Sequence, residues 1–221
     1  MIGVDGTVKT IKFSEDDRFL VAIGEGSRNG NDMAVWDMQN GSVVQYLKHP
    51  KPATCLCWGR TVVADASRRV KTPKYSIYTF HAQMVQAHFL EYDIRTMHFS
   101  LTTHKFRFPS TGLTRTYYDC CLGPTPGELL AGTSVGELVV FNAEHLLYRA
   151  ALPIVTGGLL SLACAGSFVF VGAGDGKCKK LQGNDQYWSV VGETQVATPT
   201  VSSCSPTWTI ADQPFPNSNS G

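Results

Sequence analysis

Along residues 8–14 apolar and polar side chains alternate with period two, the chain turns at Glu15, Asp16 and Asp17, and residues 19–24 resume as an apolar run. This predicts a β-hairpin, because alternate residues of a strand face opposite sides of a sheet. A Gly- and Asn-rich stretch at 25–32 leads to a third strand at 33–37, an Asn40-Gly41 turn and a fourth strand at 42–48. Four short strands thus fill about forty residues.

The same pattern recurs from Arg115, with strands at 117–122, 128–133, 136–142 and 145–152, and again from Gly158, with strands at 159–164, 168–172, 177–182 and 187–196. A longer copy lies between, with strands expected at 53–58, 61–64, 83–93 and 97–108 and an insertion at 67–80. First strands begin near Val8, Ala53, Thr116, Leu159 and Thr200, at spacings of about 45, 63, 43 and 41 residues. That period matches four-stranded propeller blades. A β-sandwich is the competing arrangement for many short strands. The grouping by fours favours the propeller, as does an aromatic residue followed by Asp or Asn near the end of third strands: Trp36-Asp37, Tyr92-Asp93 and Phe141-Asn142.

The expected fold is therefore all-β: a β-propeller of about four blades plus the start of a fifth. Blades fall at 8–49, 53–110, 115–153 and 158–197, the next begins at 200–208, and a polar Pro/Ser/Asn tail covers 209–221. Four blades make an awkward ring, so an open arc or a fragment of a larger propeller is expected. Trp36 and Phe141 should be buried between blades, and unpaired strand groups are expected at the two ends of the arc, around 8–14 and 200–205.

Trp36-Asp37 at the end of an apolar third strand, after Phe13-Ser14 and Gly24, resembles the WD-repeat family. The Gly-His dipeptide that opens many such repeats is missing, with His49 before Ala53 in a comparable place. No Ser, His, Asp and Trp quartet can be assembled from the sequence. Residues 8–21, the stretched second repeat and residues 132–138 further resemble the first propeller of the cilia- and flagella-associated protein 52 family, over residues 8–205. That resemblance implies two tandem propellers inside ciliary doublet microtubules, with tubulin and other microtubule inner proteins as partners.

Charge narrows the partners. Nineteen Lys and Arg against 18 Asp and Glu, a net of +1, argue against a generic nucleic-acid or membrane-surface binder. With no apolar run of 18 residues and no signal-like N-terminus, the chain is expected to be soluble and cytoplasmic; under the family resemblance it lies in the axoneme. Seven cysteines, an odd number, are expected to be reduced. The local exception to neutrality is Arg60, Arg68, Arg69, Lys71 and Lys74, set against Asp65 alone. Insertions in repeat proteins map to loops on one face, often the binding face. If the family resemblance holds, this basic segment meets an acidic tubulin surface; the plainer reading is a solvated loop.

Motifs for chemistry fail on spacing. Residues 172–177 have the wrong glycine-to-lysine spacing for a phosphate loop, lack a Ser or Thr after Lys177 and precede a strand, so a β-turn is expected. The acidic residues of 25–32 miss calcium-loop positions and suggest a solvated loop. Cys55, Cys57, Cys120 and Cys121 lack paired Cys-x-x-Cys spacing, and His81, His88, His98 and His104 match no zinc pattern. No catalytic, cofactor or metal residues are assigned. The expected function is a non-catalytic scaffold in a ciliary microtubule assembly; the alternative is a soluble adaptor that binds peptides. Remaining blades of the same polypeptide, or a partner, are expected to cover the open ends.

Overall fold

The computed structural model describes residues 6–26, 32–49, 51–60, 62–63, 73–82, 84–93, 95–109, 115–184 and 187–196. The expected fifth-blade start at 200–208 and the tail at 209–221 lie outside the described residues. Seventeen strands and no helix are present among the described residues. Blade 1 comprises β1 (Gly6–Phe13), β2 (Phe19–Gly26), β3 (Met33–Asp37) and β4 (Ser42–Leu47), paired antiparallel in chain order. Blade 2 comprises β5 (Cys55–Trp58), β7 (Pro73–His81), β8 (Met84–Asp93) and β9 (His98–Lys105), with β6 (Val62–Val63) paired to β7. Blade 3 is β10 (Tyr117–Leu122), β11 (Glu128–Thr133), β12 (Glu137–Asn142) and β13 (Leu147–Pro153), and blade 4 is β14 (Leu159–Ala165), β15 (Phe168–Ala173), β16 (Lys177–Asn184) and β17 (Tyr187–Gln195).

Blade 2 corrects the sequence reading. Its second strand is Pro73–His81, most of which lies in the expected insertion, and of the strand expected at 61–64 the described residues Val62–Val63 form β6. The strand escapes a period-two search because Tyr75, Ser76, Ile77, Tyr78, Thr79, Phe80 and His81 are all buried. A strand covered on both faces reads as a continuous run. The turns elsewhere follow expectation. Gly136 (φ +84°) and Gly176 (φ +79°) occupy equivalent left-handed positions between second and third strands, where glycine meets no steric cost. The suspected phosphate loop is this turn, its Gly176 N–H donating to the Ala173 carbonyl at 3.1 Å.

Each neighbouring pair of blades packs face to face. Phe19, Val21, Ile23, Met33 and Val35 of blade 1 meet Leu56, Trp58, Tyr75, Ile77 and Leu90 of blade 2. The other face of blade 2 (Cys55, Cys57, Tyr78, Phe80, Val85 and Ala87) meets Tyr117, Leu129, Ala131, Val139 and Phe141 of blade 3. Leu130, Leu138 and Val140 on the far side of blade 3 meet Leu159, Val169, Val171 and Leu181 of blade 4. The first strands converge in the order β1, β5, β10, β14. The Trp58 Nε1–H donates to the Lys12 carbonyl, and the Leu162 N–H donates to Asp119 Oδ2, both at 2.8 Å. This is the radial geometry of a propeller.

Among the described residues, three inter-blade cores join the four sheets, and none joins blade 4 to blade 1. The described residues form an open arc. On blade 1 the open side is a sheet face, β1 pairs with β2 along one edge only, and the other expected end at 200–205 lies outside the described residues. Trp36 shows the consequence. Because it alternates with inward-facing Val35, it lies on the outer face of blade 1, opposite Leu20 and Val43, and is only half-buried. The expected burial of Trp36 between blades is therefore not met. Phe141 is fully buried, with rings of Phe106, Phe108 and Phe80 at centroid distances of 5.5, 5.7 and 5.8 Å.

Phe141→Ala should therefore cost about 3–5 kcal/mol of folding stability, and Trp36→Ala at most about half as much, since it lacks a packed neighbouring blade. Urea denaturation of the two variants checks this; equal losses would contradict the open outer face.

Candidate functional site

The seam between blades 1 and 2 holds a buried polar network that joins distant parts of the sequence. Asp32, just before β3, and His49, just after β4, are both buried, and the His49 Nδ1–H donates to Asp32 Oδ1 at 2.8 Å. The His49 backbone N–H adds bonds of 3.1 and 3.0 Å to the same carboxylate. Asp32 is thus a satisfied structural carboxylate, not part of a solvated loop. His49 Nε2 lies 3.4 Å from His88 Nε2 on β8, and Thr79 Oγ1 on β7 lies 2.9 Å from His88 Nε2 and 3.1 Å from His81 Nε2. His81 Nδ1 reaches the Lys51 carbonyl at 2.8 Å, and His88 Nδ1 reaches Thr103 Oγ1 at 2.9 Å.

One assignment of protons uses every nitrogen, since a carbonyl and a carboxylate can only accept. His81 and His49 carry protons on Nδ1, His88 carries its proton on Nε2 and gives it to His49 Nε2 and Thr79, Thr79 donates to His81, and Thr103 donates to His88. Asp32, His49, Thr79 and His88 make a quartet of the kind that the sequence did not disclose, with imidazole in place of indole. Of the four histidines tested for a zinc pattern, His88 belongs to the quartet and His81 to the network around it, while His98 and His104 are exposed on β9. Among the described residues no group of three or more His, Cys, Asp or Glu side chains has metal-holding geometry.

The third-strand positions share a local task. The carboxylates of Asp37 and Asp93 accept from the backbone N–H groups of Gln39 and Arg95 at 2.9 and 2.8 Å, and the Asn142 side-chain oxygen accepts from that of His145 at 2.7 Å. Each tightens the turn into the fourth strand. Their aromatic neighbours differ: Trp36 and Tyr92 are half-buried and Phe141 is fully buried.

Of the basic positions, Arg60 and Lys74 are exposed and line one cavity between blades 2 and 3. Lys74 pairs with Glu91 at 2.6 Å. Arg68, Arg69 and Lys71 lie outside the described residues. Cys55 and Cys57 share a buried face with Cys120. Burial holds the Cys120 thiol well above its usual pKa, and hydrogen-bonding contact with Cys55 and Cys57 adds to the shift. Burial likewise raises Cys121. Such thiols are poor nucleophiles at neutral pH.

No protein-family model matches the chain, and no curated protein matches it. Among solved structures it is similar to the crystal structure of the Myceliophteria thermophila Cps50 (Swd1) β-propeller domain, at a TM-score of 0.41 and 15% sequence identity, covering 84% of this chain and 71% of that one. None of these comparisons supports the cilia- and flagella-associated protein 52 resemblance.

Burial, with His49 and His81 beside it, pushes the His88 pKa down from 6.5 to about 3, and burial with His49 also lowers His81. Below pH 6.5 the unfolded chain takes up protons that the native seam refuses, so stability present above that pH is lost as pH falls toward 3. Urea denaturation should show a loss of up to about 1.4 kcal/mol per pH unit for each such histidine. His88→Gln should flatten this slope even if it lowers stability at pH 7. Stability independent of pH between 7 and 5 would contradict a neutral network.

Proposed function

We propose that the protein is a non-catalytic scaffold that binds other proteins through the faces of its propeller arc. The observation that carries this reading is the outer face of blade 1. Across its strands run the rows Phe13, Leu20, Trp36, Val43 and Ile11, Ala22, Ala34, Tyr46. Phe13 is 51% exposed and Ile11 57%, Leu20, Trp36, Val43 and Tyr46 are half-buried, and Ala22 and Ala34 are buried. This face has the apolar character of the faces that pack between blades, and its exposed apolar side chains, grouped on β1, mark an interaction surface. A further blade, from the same polypeptide or from a partner, is the chemically matched cover.

The sequence resemblance narrows the scaffold to a component of ciliary doublet microtubules, with tubulin and other microtubule inner proteins as partners. In that setting Arg60, Arg68, Arg69, Lys71 and Lys74 face acidic tubulin surfaces. This narrower reading rests on the resemblance alone, as does placement in the axoneme. The second reading, a soluble adaptor in a cytoplasmic or nuclear complex, shares the same apolar face and differs in where the complex resides.

Cross-linking mass spectrometry on native extracts tests the scaffold. Lys9 and Lys12 on β1 should link to another blade or polypeptide, and an Ile11→Asp, Phe13→Asp double variant should lose those links while keeping its fold. Links from β1 only to the blades already present here would contradict the proposal. In ciliated cells, retention with salt-extracted axonemes separates the ciliary scaffold from the adaptor, which would leave with the soluble fraction.

A further inference from the structure

Between blades 2 and 3, away from the outer face of blade 1, lies a cavity of about 360 Å³ whose walls differ in charge. Its apolar lining is supplied by Tyr78 and Phe89 from blade 2 and by Leu122, Pro126 and Ala143 from blade 3. The blade 2 rim carries exposed Arg60 and Lys74, the latter paired with Glu91. The blade 3 rim carries exposed Glu144, with Glu128 buried beneath it. A concave apolar site with a few convergent polar groups is the usual form of a binding pocket.

We propose that this cavity docks a peptide segment from a partner protein. The segment inserts one aromatic or large aliphatic side chain between the blades, with an acidic flank over Arg60 and Lys74 and a basic flank over Glu144. The apolar lining sets the anchor, since buried aromatic anchors dominate such contacts. The opposed charges of the two rims set the direction in which the segment lies, because charge complementarity fixes register. This deepens the scaffold reading by naming a second surface and the chemistry of its ligand.

The test uses the whole chain and a fluorescein-labelled probe peptide, Glu-Glu-Gly-Phe-Gly-Lys-Lys, read by fluorescence anisotropy. Saturable binding is expected. Replacing the probe's phenylalanine with serine should weaken binding about tenfold or more, as should Thr125→Trp, which fills the cavity from an exposed rim position. Arg60→Glu should weaken binding at low salt, and a probe with a lysine flank in place of its glutamates should recover it. Unchanged thermal unfolding of each variant excludes misfolding as the cause. Absence of saturable binding, or binding that ignores both the phenylalanine and Thr125→Trp, overturns the proposal. Because the outer face of blade 1 is not engaged in this assay, its cross-links stand or fall independently.

Discussion

A four-stranded antiparallel sheet that is apolar on both faces cannot keep both wet, and this constraint organises the whole molecule. Blade 2 states it most fully: Leu56, Ile77 and Leu90 face one neighbour, while Cys57, Phe80 and Ala87 face the other. Radial stacking of such sheets around converging first strands satisfies every internal face in turn. It leaves an unsatisfied face at each end of an open arc. On blade 4 that face mixes Phe168 and Phe170 with Lys180 and Gln182, and the Lys180 ammonium sits 3.6 Å above the Phe168 ring. On blade 1 it is mainly apolar. The same physics that builds the core thus produces the surface from which the function is inferred.

Polar chemistry is used in this molecule to fix relations that apolar packing leaves loose. Sheets packed by interdigitating side chains can slide, whereas a buried carboxylate demands particular donors. Asp32 therefore holds His49, and His49 meets His88 of the next blade, which is itself bonded to Thr79. Tyr75 repeats the device nearer the front of the same seam, donating its hydroxyl to Asp16 Oδ2 at 2.7 Å. Burial and the Asp16 bond raise the Tyr75 pKa to about 12, so the phenol remains a donor across the physiological range. The blade 1 to blade 2 junction is thereby defined in register as well as in area.

Much of this was legible in the sequence where local and global signals agree. Blades 3 and 4 have short strands at regular spacing and left-handed glycines at Gly136 and Gly176, and their boundaries follow directly even though β11 is buried at every position. Blade 2 differs from its sequence pattern because Tyr75 to His81 has both faces covered and follows a long connection after β5 that breaks the repeat spacing. The orientation of Trp36 depends on which face of blade 1 meets a neighbour, a property no strand carries by itself. The histidine network was hidden for a related reason: its members are spread from Asp32 to Thr103, meet only after two blades pack, and place His88 where a tryptophan would have been sought. The pocket between blades 2 and 3 joins Arg60 to Glu144 and is likewise a tertiary feature; only its basic half is visible as a charge cluster.

The central claim, an open arc with an uncovered apolar face, is tested most directly by hydroxyl-radical footprinting of the isolated chain. Phe13 and Trp36 should oxidise readily, while Phe19 and Phe141, on faces buried between blades, should be protected. Protection of all four would mean that another element covers the outer face of blade 1 and that the arc is closed, contradicting the account.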